Sequence, residues 1–247
     1  MDRLIYTALS GLGARGRQQQ VTANNLANAI VPGFRREVVA AEGRYLAGDA
    51  WPARVQAGSP SLTTPHEAGQ VTATGNEMDI ALAGEAWLAV QGPIIGGQIS
   101  EGYTRRGDLS VSPAGLLTNG DGRVVVGDNG APISVPPGAA VQIGSDGNIT
   151  ARLGDAVTPL GRLKLVDGTS LKSRDKAGDS LFVTDLPLPR DQAARLQPGA
   201  LESANVQAAH ALAELVEEQR GFEVNARMLS VAKEIDEKGA RLMALDN

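Results

Sequence analysis

Asn24-Asn25-Leu26-Ala27-Asn28, running on through Ala29-Ile30-Val31 to Pro32-Gly33-Phe34-Arg35, ends one kind of sequence and begins another. The asparagine amide competes for backbone hydrogen bonds, so the residue favours helix ends and turns over helix interiors. Pro32 biases Val31 away from helix, and Gly33 permits a tight turn. The stretch therefore stops a helix at a defined place, and its amides are free to contact another surface. Nothing in it is built for catalysis.

Outward from this stop the chain falls into three zones. Of its 30 glycines and 13 prolines, 23 and 12 lie in residues 47–201, whereas residues 202–247 hold two glycines and no proline. That distribution predicts helix, a long turn-rich middle, then helix, with boundaries at 1–46, 47–201 and 202–247. The first zone carries a track of Ile5, Leu9, Leu12, Gly16, Gln19, Ala23 and Leu26, and the last one of Ala208, Leu212, Leu215, Gln219, Phe222, Ala226 and Leu229. Both alternate four and three residues, the spacing of a coiled-coil seam. Beyond Leu229 the apolar positions drift to Ala232, Ile235, Gly239 and Leu242, as a 3.6-residue helix drifts against a 3.5 repeat. A helix from Asn205 to Ala244 with so narrow a stripe suits packing against another helix. Such helices are expected to order on assembly. Residues 1–46 hold six arginines against three acids, and residues 202–247 nine acids against five bases. The opposite signs favour pairing the two ends, although each exposed contact is weak.

The middle reads as β. Short apolar runs at Met78–Ala83, Ala86–Gln91, Leu109–Val111, Arg123–Val126, Pro132–Val135, Ala140–Ile143, Asn148–Ala151 and Gly161–Val166 are separated by turn dipeptides such as Asn119-Gly120, Asp121-Gly122, Asn129-Gly130 and Asp146-Gly147. This predicts a mainly β central domain, sandwich or barrel-like, flanked by the two helices.

Composition narrows the function. The net charge of −5 opposes nucleic-acid binding through overall positive charge, and the lack of cysteine excludes disulfides and thiolate chemistry. No apolar run reaches membrane-spanning length, and the N-terminus lacks the features of a signal peptide. Gly11-Leu12-Gly13-Ala14-Arg15-Gly16 spells a dinucleotide fingerprint but lacks the preceding strand and the following acid, so it reads as small residues for close helix approach. Asn119, Asp121 and Arg123 mimic a calcium loop in which Arg123 takes a ligand position, so a hairpin turn is expected. His66 and His210 lie in different zones and form no zinc site. Glu77 and Asp79 are spaced to share a strand face and are the one candidate for acid–base work on a glycan. Trp51, Trp87, Tyr103 and Phe182 read as core or interface anchors.

The Asn24–Arg35 stretch resembles the Asn-Asn-Leu-Ala-Asn and Pro-Gly-Phe-Arg signature of bacterial flagellar axial proteins, the rod and hook subunits, with Val31 where that family usually has Thr. Leu201-Glu202-Ser203-Ala204-Asn205-Val206 resembles its entry to the last helix, with Ser and the variable residue exchanged; Asn205 is placed to cap that helix. Gln219, Arg220, Phe222 and Glu223 resemble its Gln-Arg-x-Phe-Glu patch. Thr74-Gly75-Asn76-Glu77-Met78-Asp79-Ile80-Ala81 and Tyr103-Thr104-Arg105-Arg106-Gly107-Asp108-Leu109 are similar to two elements of its β region, Leu109 replacing an aromatic. Length leaves the proximal and distal rod branches, and Met1–Ala8 with Trp87–Val90 look like the proximal one. The resemblance implies a structural subunit of the torque-transmitting rod, not an enzyme, without cofactor or metal. It implies the other rod proteins and further copies of this chain, the type III export apparatus and a chaperone as partners, without nucleic acid or membrane insertion. It places the protein in the periplasm-spanning rod of the basal body, exported with no cleaved signal peptide. Leu9, Leu12, Asn24, Asn25, Leu26, Asn28, Phe34, Asn205, Leu212, Leu215, Phe222 and Leu229 are its expected assembly residues. A glycan hydrolase centred on Glu77 and Asp79, or a β-rich glycan-binding module with helical tails, stands as the alternative.

Overall fold

The computed structural model describes residues 2–40, 43–45, 55–57, 61–65, 67–172, 175–178 and 180–245; Trp51 and His66 lie outside the described residues. The protein is mainly β with a helix toward each end, α1 (Asp2–Ala27) and α2 (Ala208–Leu245). The sheets do not close into a barrel. The chain divides into two units, one of residues 1–27, 37–63 and 207–247 and the other of residues 28–36 and 64–206. The first boundary falls inside the asparagine–proline stretch, where α1 ends and the Pro-Gly turn joins the second unit.

In the first unit the two helices pack together. At 38 residues α2 is about 57 Å long. Ala211 and Ala232 on α2 and Thr22 on α1 are buried, and Leu215, Glu218, Gly221, Asn225 and Leu229 are half-buried between those two alanines. Thr22 Oγ1 donates to Glu218 Oε1 at 2.8 Å. The inward stripe thus includes Leu215 and Leu229 but takes 211, 218 and 225 in place of 212, 219 and 226, and Phe222 lies at its exposed margin. Leu212 points outward instead, half exposed. The rotation follows from packing: small and polar residues at 211, 218 and 221 let α1 approach, which a track chosen for hydrophobicity overlooks.

The second unit is built on a four-stranded antiparallel sheet in the order Leu165–Asp167, Ala86–Ile95, Gln98–Thr104, Phe182–Val183. Strand Ala86–Ile95 is buried through Val90 on both faces, which explains its continuous apolar run. Leu88 and Val90 enter one cluster with Ile80, Leu117, Val125, Ile149, Leu163 and Leu165. Trp87 and Ala89 enter another with Tyr103, Val166 and Phe182. Trp87 meets Phe182 edge-on, ring centroids 4.8 Å apart. Trp87, Tyr103 and Phe182 are therefore core anchors.

Strands Leu109–Val111 and Ala140–Ile143 form where the pattern predicts them. Met78–Ala83 contracts to Ile80–Leu82, because Glu77 and Met78 lie in a turn. Residues 123–126 and 132–135 contribute only isolated bridges, and 161–166 splits between strands Ala156–Arg162 and Leu165–Asp167. The positive φ of Gly122, Gly130 and Gly147 matches the Asp-Gly and Asn-Gly turns expected there.

Tyr103 gives this core a measurable signature. Its hydroxyl accepts from the Leu188 N–H at 2.6 Å and donates to Glu101 Oε2 at 3.2 Å. Burial, opposed by the Leu188 bond and reinforced by the Glu101 charge, pushes its pKa up to about 12. A phenol held neutral in the fold leaves stability untouched below its ordinary value near 10. Stability then falls as pH rises toward about 12, by about 3 kcal/mol in all. Absorbance titration at 295 nm should show one of the three tyrosines ionising late. Three superimposed normal titrations in the folded protein would refute the assignment.

Candidate functional site

The second unit brings three distant segments onto one carboxylate. Glu202 lies in strand Ala200–Glu202, which pairs with Val71–Ala73. Alternation along this short strand turns Ala200 and Glu202 inward, and Glu202 is only 1% exposed. Its Oε1 accepts from the Gly69 N–H at 2.8 Å and lies 2.6 Å from Arg35 Nη1. Its Oε2 accepts from Arg105 Nε at 2.8 Å and Nη2 at 2.6 Å. Arg105 spends its remaining hydrogens on the carbonyls of Leu82, Gly84 and Ala86. Arg35 and Arg105 are nearly as buried as Glu202. Burial and the neighbouring Arg105 lower the Arg35 pKa, and Glu202 opposes them. Two guanidiniums thus share one dehydrated carboxylate: Arg105 is fully hydrogen-bonded, whereas Arg35 meets Glu202 as an ion pair and its Nε and Nη1 make no hydrogen bond among the described residues.

Backbone bonds tie the same segments. The Gly33 N–H donates to the Glu202 carbonyl at 2.7 Å, and the Asn205 N–H donates to the Phe34 carbonyl at 3.3 Å. Gly33 has a φ of +67°, and a Cβ there would lie 2.2 Å from the Arg105 carbonyl oxygen. Only glycine fits this turn. Gly69 is equally confined, with the Ser203 carbonyl oxygen 1.8 Å from where a Cβ would be.

The structure reassigns several expected assembly residues. Phe34, expected at an assembly surface, is 0% exposed and sits under the Lys176 ammonium, 4.6 Å from its ring. The amides are not free. Asn25 Nδ2 donates to the Glu37 carbonyl at 2.7 Å and its Oδ1 accepts from the Glu37 N–H at 2.9 Å. Asn205, expected to cap the last helix, precedes its first residue by three positions; its Oδ1 accepts from the Arg36 N–H at 2.7 Å and its Nδ2 donates to the Glu67 carbonyl at 3.0 Å. The Asn28 carbonyl accepts from Val31 N–H and closes the turn, while Asn24, Leu26 and Leu12 are half-buried on the N-terminal side. Leu9 and Leu212 are about half exposed, and Phe222 lies at the margin.

Outside the α1-facing stripe, α2 leaves large apolar side chains in solvent. Leu212, Val216, Val224, Met228, Val231 and Ile235 are each about half exposed. On α1, Leu9, Gly13, Gln20, Ala23 and Ala27 recur on an exposed, uncharged face. A Cβ at Gly11, Gly13 or Gly16 would meet nothing within 4 Å. Among the described residues, the expected close helix approach at these glycines is therefore not made.

The candidate carboxylate pair does not share a strand face, because Glu77 lies in the turn ahead of strand Ile80–Leu82. Asp79 accepts from Thr74 Oγ1 at 2.7 Å and Asn76 Nδ2 at 3.0 Å, pinning the turn, and Glu77 is exposed beside it. Asn119 Oδ1 accepts from the Asp121 and Arg123 N–H groups, closing a hairpin turn, and Asp121 is committed to Arg106 and Ser180.

Each member of the charged cluster falls within a different family profile. "Flagella basal body rod protein" matches residues 5–35, "Flagellar hook protein FlgE/F/G D1 domain" residues 81–151, and "Flagellar basal body rod FlgEFG protein C-terminal" residues 197–242. The flagellar basal-body rod protein FlgF of Escherichia coli K12 is 39% identical, covering 93% of the chain and 94% of the relative. The chain belongs to the flagellar basal-body rod family. The FlgF of Salmonella typhimurium LT2 is 35% identical over 99% of the chain and all of the relative, whereas the FlgG of Bacillus subtilis 168 is 26% identical. The nearer likeness to FlgF makes the chain a structural subunit of the proximal rod in the basal body, as the resemblance implied. Rod-family signature residues Arg35, Arg105 and Glu202 were visible within the sequence motifs. Their convergence was not, because no sequence spacing links them.

Proposed function

We propose that this rod subunit joins its neighbours through the helical unit, with the outward face of α2 as the principal contact and the small-residue face of α1 as a second. The observation that carries the reading is the set of large apolar residues, Leu212, Val216, Val224, Met228, Val231 and Ile235, that α2 leaves about half exposed outside its α1-facing stripe. Such a face costs solubility in an isolated chain and is typical of protein contacts. Leu9 and Leu212 belong to the intersubunit layer, while Leu12, Leu26, Leu215, Phe222 and Leu229 support it from the helix pair. Gly13 and Gly16, each costing a helix about 1 kcal/mol, leave room for a neighbouring side chain. Two different faces on one subunit are what a heterologous, open helical assembly requires. The protein has no catalytic role in this reading. It reaches the rod through the flagellar type III export apparatus, aided by a chaperone.

The absence of cysteine provides the test. A single cysteine replacing Val224 and carrying a photo-crosslinker should link to other rod subunits in purified basal bodies. The same label replacing Asn225 should react only within its own chain. Equal labelling of neighbours from both positions would overturn the assignment of faces.

A further inference from the structure

Beyond assembly, and independent of it, the charged cluster reports on the order in which the second unit closes. We propose that residues 194–205 are a completion latch. They seal a largely preformed sheet core, and the Arg35–Glu202–Arg105 cluster makes the sealing all-or-none.

The central hairpin and the meander are locally connected, whereas the outer strands Leu165–Asp167 and Phe182–Val183 join that hairpin from far along the chain. Ala86–Ile95 pairs with Gln98–Thr104 across a Gly96-Gly97 turn, and Ala140–Ile143, Asn148–Leu153 and Ala156–Arg162 follow one another as a meander. The segment from Ala194 makes only distant partnerships. Leu196–Pro198 pairs with Ile80–Leu82, and Ala200–Glu202 with Val71–Ala73. Glu202 bonds Gly69 across 133 positions and Arg105 across 97. Local pairings close before distant ones, because distant ones must first overcome loop entropy. The cluster sharpens this order. A carboxylate buried with one arginine missing, or a guanidinium buried with none, is strongly penalised, so partial docking is unstable. Any chain delivered with its N-terminus first therefore keeps this unit open until Asn205 of its 247 residues has been released.

Pulsed hydrogen exchange during refolding of the full-length protein tests the order. The amides of Gly33, Gly69, Thr74 and Ser203, bonded to Glu202, Glu202, Gly199 and Gln70 respectively, should become protected at least severalfold later than Leu88 and Val90, which face Thr104 and Gly102 across the central hairpin. Glu202→Gln should speed unfolding at least tenfold and leave the early protection phase unchanged within twofold. Simultaneous protection of the two amide sets in the unmodified protein would overturn the latch. So would a Glu202→Gln protein whose early phase slows as much as its late one. If the variant does not fold, the exchange order of the unmodified chain decides alone.

Discussion

Arg105→Met will destabilise the second unit by about 3–5 kcal/mol, while Arg106→Met, one position along, will cost about 1 kcal/mol. Arg105 is buried, and its loss leaves Glu202 facing Arg35 alone and strands the carbonyls of Leu82, Gly84 and Ala86. The methionine restores volume but no hydrogen bond, so the penalty is that of dehydrated groups left unmatched. Arg106 lies nearer the surface, where it pairs with Asp108 and Asp121. Its pKa is raised mainly by the Asp108 hydrogen bond, but water can replace these partners. Urea unfolding at neutral pH, followed by tryptophan fluorescence, measures both variants. Equal losses would mean that the Glu202 cluster is not an obligatory part of the fold.

Charging the outward face of α2 is expected to abolish swimming without harming the monomer. Val224→Glu combined with Met228→Glu places two carboxylates among its exposed apolar residues, one turn apart. Both positions are more than half exposed in the single chain, so each substitution should change monomer stability by about 0.5 kcal/mol or less. In a helix contact the same carboxylates would be stripped of water, a penalty of several kcal/mol per charge. Soft-agar swimming should fall to the level of a strain lacking the protein, with the circular dichroism of the purified chain unchanged. Swimming at normal rates would remove α2's outward face from the assembly. Leu215→Glu, on the α1-facing side, should instead lower the helix signal of the purified chain.

Much of the architecture was legible in local pattern. The helix stop at Asn24–Pro32 falls where α1 ends, and the Asp-Gly and Asn-Gly dipeptides sit at turns with positive φ. Strand Ala86–Ile95 announced itself because both of its faces are buried. Strand Gln98–Thr104 escaped notice because Gln98, Ser100, Glu101 and Gly102 break any apolar pattern, although it lies beside Ala86–Ile95 in the central sheet. Helix register was half legible. Positions 215 and 229 follow the apolar track, but Phe222 lies exposed at the margin and the facing positions 211, 218 and 225 are Ala, Glu and Asn, set by fit to α1. Least legible was the use of the asparagines. Asn25 and Asn205 carry amides suited to a partner, yet each clasps the backbone of its own chain, a pairing set by tertiary position.

The bonds between residues 33–36 and 202–205 have a mechanical consequence. The segments run in the same direction there, Gly33 facing Glu202 and Phe34 facing Asn205. Tension entering through residue 28 and leaving through residue 206 would pull them lengthwise past one another. The bonds of this short ladder and the Arg35–Glu202 pair would then be strained together, in shear, and not peeled apart singly. If rod contacts load both chain ends, this arrangement makes the two connections at 28 and 206 share the load.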